Sequence, residues 1–168
     1  IRHTGGAVRY VRAHPGDRDL PFALACELAG ALASLPGSRG VAPEVAATLI
    51  GLDPSLANTF NGTADQATGD EARRRRAFAL TELLRATCEE GAVALLVDDL
   101  HWADAESFVI LESMLARADN ARLLVVSATR PVAERQLRSE RRKTLQLAPL
   151  TIAQIGELLD SVAAHDPG

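Results

Sequence analysis

Two adjacent carboxylates, Asp98 and Asp99, follow six apolar residues, Ala92–Val97. An apolar run of that length, bounded by polar residues, reads as a strand buried on both faces, as in a parallel sheet. In open α/β sheets the ligand lies beyond the carboxyl ends of the strands. Asp98 and Asp99 therefore leave the sheet where a ligand would be handled. Mg²⁺ prefers hard oxygen ligands and needs only one or two protein carboxylates when phosphates supply the rest. The chemistry on offer is phosphoryl transfer, with Asp98 as the metal ligand and Asp99 as the group that polarises an attacking water. The bland alternative is a pair of strand-end aspartates that shape a turn or cap the next helix.

The longer string Asp98-Asp99-Leu100-His101-Trp102-Ala103-Asp104 resembles the Walker B signature of STAND-type P-loop ATPases. That group includes the ATPase modules of large LuxR-family transcription regulators and those beside bacterial cyclases and kinases. The resemblance implies ATP and Mg²⁺ as cofactors, with Asp98 on the metal and Asp99 as the catalytic carboxylate that orients the attacking water. It places Thr129-Arg130 at the first-sensor position, within reach of the γ-phosphate, where the forked donors of a guanidinium suit phosphate oxygens. The competing reading of Arg130 is an ion pair with a neighbouring carboxylate. Pro131 keeps Arg130 out of helical geometry. His101 either senses the γ-phosphate or bonds to backbone. Trp102 is a packing or lid anchor, and Asp104 caps the helix that follows. Arg76, shortly before Phe78, touches nucleotide or a neighbouring subunit in this resemblance. Asp17–Phe22 and Leu145–Leu150 extend the similarity over residues 7–163.

One element of that family is missing from the sequence. No stretch reads Gly-x-x-x-x-Gly-Lys-[Ser/Thr], the loop that cradles phosphates. Of the 18 lysines and arginines only Lys143 is a lysine, and it follows Arg141-Arg142 with no glycine near. The expectation is a single partial ATPase core over residues 1–168, whose P-loop strand lies before Ile1 or has been lost. The fold class expected is α/β, a three-layer αβα P-loop core with a mostly parallel sheet, incomplete at that strand.

Composition narrows the alternatives. With 168 residues, 47% of them hydrophobic, the chain can bury a core. A net charge of −4 gives no general affinity for nucleic acid or anionic membrane. No basic recognition helix is evident, so DNA would be met only through a separate output domain. The four arginines Arg73–Arg76 spread around a helix instead of forming a stripe and read as a solvated or subunit-facing surface. Cys26 and Cys88 lack metal or redox spacing and read as reduced, buried thiols. The longest apolar stretch, Phe22–Leu35, contains Glu27 and falls short of the ~20 residues a membrane span needs. The resemblance implies a cytoplasmic bacterial protein, its partners ATP or ADP and either other copies of itself or neighbouring domains of the same chain.

Around these motifs the sequence predicts alternating elements. Strands are expected at Ala7–Arg12, Ala92–Asp98, Arg122–Thr129 and Thr144–Leu147. Helices are expected at Leu20–Leu35, Val41–Leu52, Asp70–Glu90, Asp104–Ala118, Val132–Arg141 and from Thr151 onward, with residues 53–69 as a long loop. Such alternation specifies a doubly wound layer structure. Two functions compete: an ATP-driven switch that hydrolyses slowly within a larger regulator, and a non-catalytic interaction module that keeps the fold without its phosphate loop.

Overall fold

A computed structural model describes residues 6–118, 120–130, 137–138 and 142–163. Three strands, β1 (Ala7–Arg12), β2 (Val93–Asp98) and β3 (Leu123–Ser127), form a parallel sheet in the order β1-β2-β3. The helices are α1 (Ala23–Ala33), α2 (Pro43–Leu52), the single turn α3 (Ala57–Phe60), α4 (Gly69–Glu90), α5 (Ala105–Arg117) and α6 (Ile152–Ala163). The pairing register sets Val11 opposite Val97, Arg12 opposite Asp98, and Val97 opposite Ser127.

Residues alternate between the two faces of a strand. Val11, Val93, Leu95 and Val97 project into one core with Leu28 and Leu32 of α1, Leu80, Leu83 and Leu84 of α4, and Leu111 and Met114 of α5. Two successive right-handed crossovers running in the same direction across a sheet deliver their helices to the same face. That is why α1, α4 and α5 lie together. The opposite face carries Tyr10, Leu124 and Val126, all about half exposed, and no helix among the described residues covers it. The α/β class and parallel sheet are as expected, and the core is incomplete: the layer over this second face is absent among the described residues.

Local signals set most boundaries. Pro43 opens α2 at a position where its missing N–H costs nothing. Gly37, with φ +82°, ends the α1 region where a Cβ would lie 2.5 Å from the Ala86 carbonyl oxygen of α4. The 53–69 loop holds a short 3-10 turn, Pro54–Leu56, and then α3. Leu20 and Pro21 fall outside α1, because Phe22 adopts the left-handed conformation (φ 69°) and starts the helix at Ala23. Asp70 lies inside α4 and does not cap it; Thr68 is the N-cap position.

The last third departs further from expectation. Thr144–Leu147 is not a strand; Leu145 and Leu147 are almost wholly exposed. A strand persists only where its backbone groups find a ladder partner, and β3 pairs only with β2 among the described residues. The helix expected at Val132–Arg141 falls largely outside the described residues. Helix α6 forms as expected, and Thr151 Oγ1 accepts the Gln154 N–H at its start. Its Ile152, Leu158, Leu159 and Val162 remain exposed.

An exposed apolar sheet face beside a strand edge unpaired among the described residues invites association. The 168-residue chain alone is expected to self-associate in size-exclusion chromatography with light scattering. Leu124→Lys combined with Val126→Thr should shift it toward monomer, and a monodisperse monomeric parent would contradict this account.

Candidate nucleotide site

The carboxyl ends of the three strands meet at the acid pair. Asp98 is the last residue of β2. Asp99 follows it in the left-handed conformation (φ 51°), which aspartate tolerates better than most residues. That turn swings the chain into a short 3-10 segment, Leu100–Trp102, closed by the Trp102 N–H on the Asp99 carbonyl at 2.8 Å. Leu100 N–H donates to the Ala128 carbonyl, and Ala128 N–H donates to the Val97 carbonyl, each at 2.9 Å. The backbone after β3 is thereby stitched to the acid turn. Thr129 and Arg130 come immediately beyond on the same rim, both exposed. Among the described residues Arg130 has no ion-pair or hydrogen-bond partner.

Strand β1 supplies what the sequence reading did not foresee. Tyr10 and Arg12 project from the same face as Asp98. The Tyr10 hydroxyl donates to Asp98 Oδ2 at 2.8 Å, while Asp98 Oδ1 accepts the Asp99 N–H at 2.9 Å. Arg12 donates through Nε and Nη2 to Asp99 Oδ2 at 3.0 and 2.7 Å, and stands 4.0 Å from Asp98 Oδ2. The phenol donor, followed by the backbone N–H, holds the Asp98 carboxyl below the usual carboxylate range; the same contact raises the Tyr10 phenol. Hydrogen bonding and charge pairing with Asp99 likewise raise Arg12. A lowered carboxyl supports the fold above its unfolded value and loses that support as pH falls through the folded one. At neutral pH Asp98 is thus a fixed anion.

His101 and Asp104 lie deeper. The His101 side chain is 9% exposed, with its ring 4.9 Å from that of Trp102 and Nδ1 4.0 Å from Asp99 Oδ1. Neither ring nitrogen has a hydrogen-bond partner among the described residues. The ring therefore backs Asp99 from within the protein. Trp102 packs against the core. Asp104 is buried, as a cap should be: its Oδ1 accepts the Ser107 N–H at 2.9 Å and also the Phe22 N–H at 2.8 Å. The second bond ties the left-handed Phe22 to the acid turn. Arg76 stacks over the Phe22 ring with its guanidinium carbon 4.3 Å from the centroid. Its neighbours are engaged elsewhere: Arg73 with Asp70 and Glu106, Arg74 with Glu71, and Arg75 with Glu71 and Asp65. The tetra-arginine run is thus a largely paired surface. Cys26 and Cys88 are free, and burial raises both thiols.

The arrangement offers two strand-end carboxylates in different settings, one held by a neutral phenol and one by a guanidinium. Among the described residues no cluster of three or more His, Cys, Asp or Glu forms a cage for a metal ion. A cation such as Mg²⁺ needs only one such carboxylate when water and phosphate oxygens complete its shell.

Residues 3–126 match the AAA ATPase domain, and the chain belongs to that family. The matched span contains β1, the acid turn and nearly all of β3. No curated protein and no solved structure matches the chain. Membership makes this an ATPase-type, nucleotide-binding module and implies Mg²⁺ alongside the nucleotide. No helix among the described residues is long and apolar enough to cross a membrane.

Asp104 gives a direct test of how the turn is held. Losing the cap costs about 1 kcal/mol, and leaving the Phe22 N–H without its acceptor adds about 1–3 kcal/mol. Asp104→Ala is therefore expected to destabilise the protein by about 2–4 kcal/mol in urea denaturation. Asp104→Asn, which keeps an acceptor oxygen, should lose less than half as much.

Proposed function

We propose that the chain is the ATPase core of a STAND-type nucleotide switch, operating inside a larger regulator of the LuxR kind. The observation that carries this reading is the acid pair at the carboxyl rim of the central strand, oriented by side chains of β1 rather than by turn contacts alone. Asp98 is the Mg²⁺ ligand. Asp99 orients the attacking water, and Arg130 with Thr129 reads the γ-phosphate from the end of β3. His101 supports this group from behind the acid pair. Mg²⁺, when bound, neutralises phosphate charge and fixes the geometry of the triphosphate.

The chain's own residues divide the remaining work. Asp98 is ionised at neutral pH and already turned to a defined position. Asp99 gives one oxygen to Arg12 and keeps Oδ1 for a water. Arg130, unpaired among the described residues and on a solvent-exposed rim, has its full set of donors available to a terminal phosphate. Such a residue distinguishes ATP from ADP because only the former presents the group it binds. Driving a switch from 1:99 to 99:1 takes ~5.5 kcal/mol of differential binding, and charge-assisted bonds to the γ-phosphate are the natural source. No phosphate-cradling loop occurs in these 168 residues, so this reading assigns the loop to sequence outside them. Its output domain, and any DNA contact, also belong to other parts of the protein.

The test is made in the full-length protein. Asp98→Ala is expected to abolish the Mg²⁺-dependent part of ATP binding, measured by fluorescent-nucleotide titration with and without EDTA. Asp99→Asn should retain binding and lower the hydrolysis rate by about 10²-fold or more, in line with loss of a positioned base. Arg130→Ala should narrow the affinity ratio between ATP and ADP. Unchanged Mg²⁺ dependence in Asp98→Ala would overturn the assignment of Asp98, and absence of ATP binding in the parent protein would leave a non-catalytic interaction module.

A further inference from the structure

We propose that Tyr10 is the positioning residue of the metal-binding carboxylate, its hydroxyl setting the orientation in which Asp98 meets a divalent cation. This rests on the assignment of Asp98 above.

Tyr10 pairs in register with Leu96, two residues before Asp98 on the same sheet face. From there its long side chain reaches along the strand direction to the rim and ends 2.8 Å from Asp98 Oδ2. With the Asp99 N–H on Oδ1, each oxygen of the carboxylate has one fixed donor, so rotation about the Cβ–Cγ bond is restrained from both sides. Each oxygen keeps further acceptor capacity. The carboxylate is thus oriented without being used up.

The kind of donor matters as much as its place. A guanidinium on Asp98 would hold it equally well and repel an incoming Mg²⁺. A phenol is neutral, so it orients the acid without adding to the positive charge of Arg12, whose Nε stands 4.0 Å from Asp98 Oδ2. Arg12 of this strand makes its two short contacts to Asp99 instead. Tyr10 is about half exposed, and its hydroxyl has water as an alternative partner. A bond so placed contributes little to net stability, so its effect lies in geometry.

The experiment uses the full-length protein and a fluorescent, non-hydrolysable ATP analogue, with Mg²⁺ titrated from EDTA to saturation. Tyr10→Phe keeps the ring and removes the donor. It is expected to raise the Mg²⁺ concentration for half-maximal enhancement about tenfold, the scale of one charge-assisted hydrogen bond. Affinity in EDTA should stay within about twofold, since the phosphate contacts are untouched. Tyr10→Leu should behave alike, while a purely structural role would weaken binding in EDTA as well. Asp98→Asn serves as the reference and should lose the Mg²⁺ enhancement altogether. If Asp98→Asn loses it and Tyr10→Phe keeps the parent midpoint, the role of Tyr10 is overturned and the site reading stands. If Asp98→Asn retains it, the site reading itself falls.

Discussion

Everything at the rim depends on β2 being paired along both edges. A central parallel strand cannot slide without breaking two ladders and moving Val93, Leu95 and Val97 out of the core. Its last residue is consequently a fixed point. The acid turn is then tied on one side by the Ala128 backbone following β3, and on the other by Tyr10 and Arg12 of β1. Beneath it, Asp104 links the start of α5 to the start of α1. Three strands and two helix starts therefore converge on seven consecutive residues.

The contacts there differ in what they do. Arg12 and Asp99 form a short ion pair, but the arginine side chain is half exposed, and pairs of that kind add little to stability. Their effect is to direct a carboxylate. Asp104 is the opposite case, buried and accepting two backbone N–H groups, and it supports the fold more than the chemistry. The left-handed Phe22, held by that same carboxylate and by the Arg76 stack, shows strain absorbed next to the site. A bulky residue in this conformation costs on the order of 1–3 kcal/mol, which the surrounding contacts offset.

The two sheet faces are unequal. Helices α1, α4 and α5 share one, and the apolar residues Tyr10, Leu124 and Val126 stand open on the other. The acid pair lies at the border between them. Tyr10 belongs to both descriptions: an aromatic on an uncovered face, and a hydrogen-bond donor to the metal-binding candidate.

Much of this was legible in the residues themselves. An apolar run ending in polar groups marked β2, which is buried in the parallel sheet, and a shorter one marked β3, while β1 carries Arg9 within its strand-like pattern. Helical spacing marked α1, α2 and α5, with Asp104 as the cap of α5. The string from Asp98 to Asp104 carried the resemblance to an ATPase family, and residues 3–126 match the AAA ATPase domain. Strand formation at Thr144–Leu147 was misjudged, since an apolar alternation carries no information about whether a ladder partner exists. Tyr10 and Arg12 were passed over for a related reason. Their residue types were plain, but only the register Arg12 opposite Asp98 brings them to the acids. Local sequence specifies what each segment can become and which groups it offers. Which strand lies beside which, in what register, is decided by burial of the whole core, and that non-local choice set the hydrogen bonds on Asp98 and Asp99.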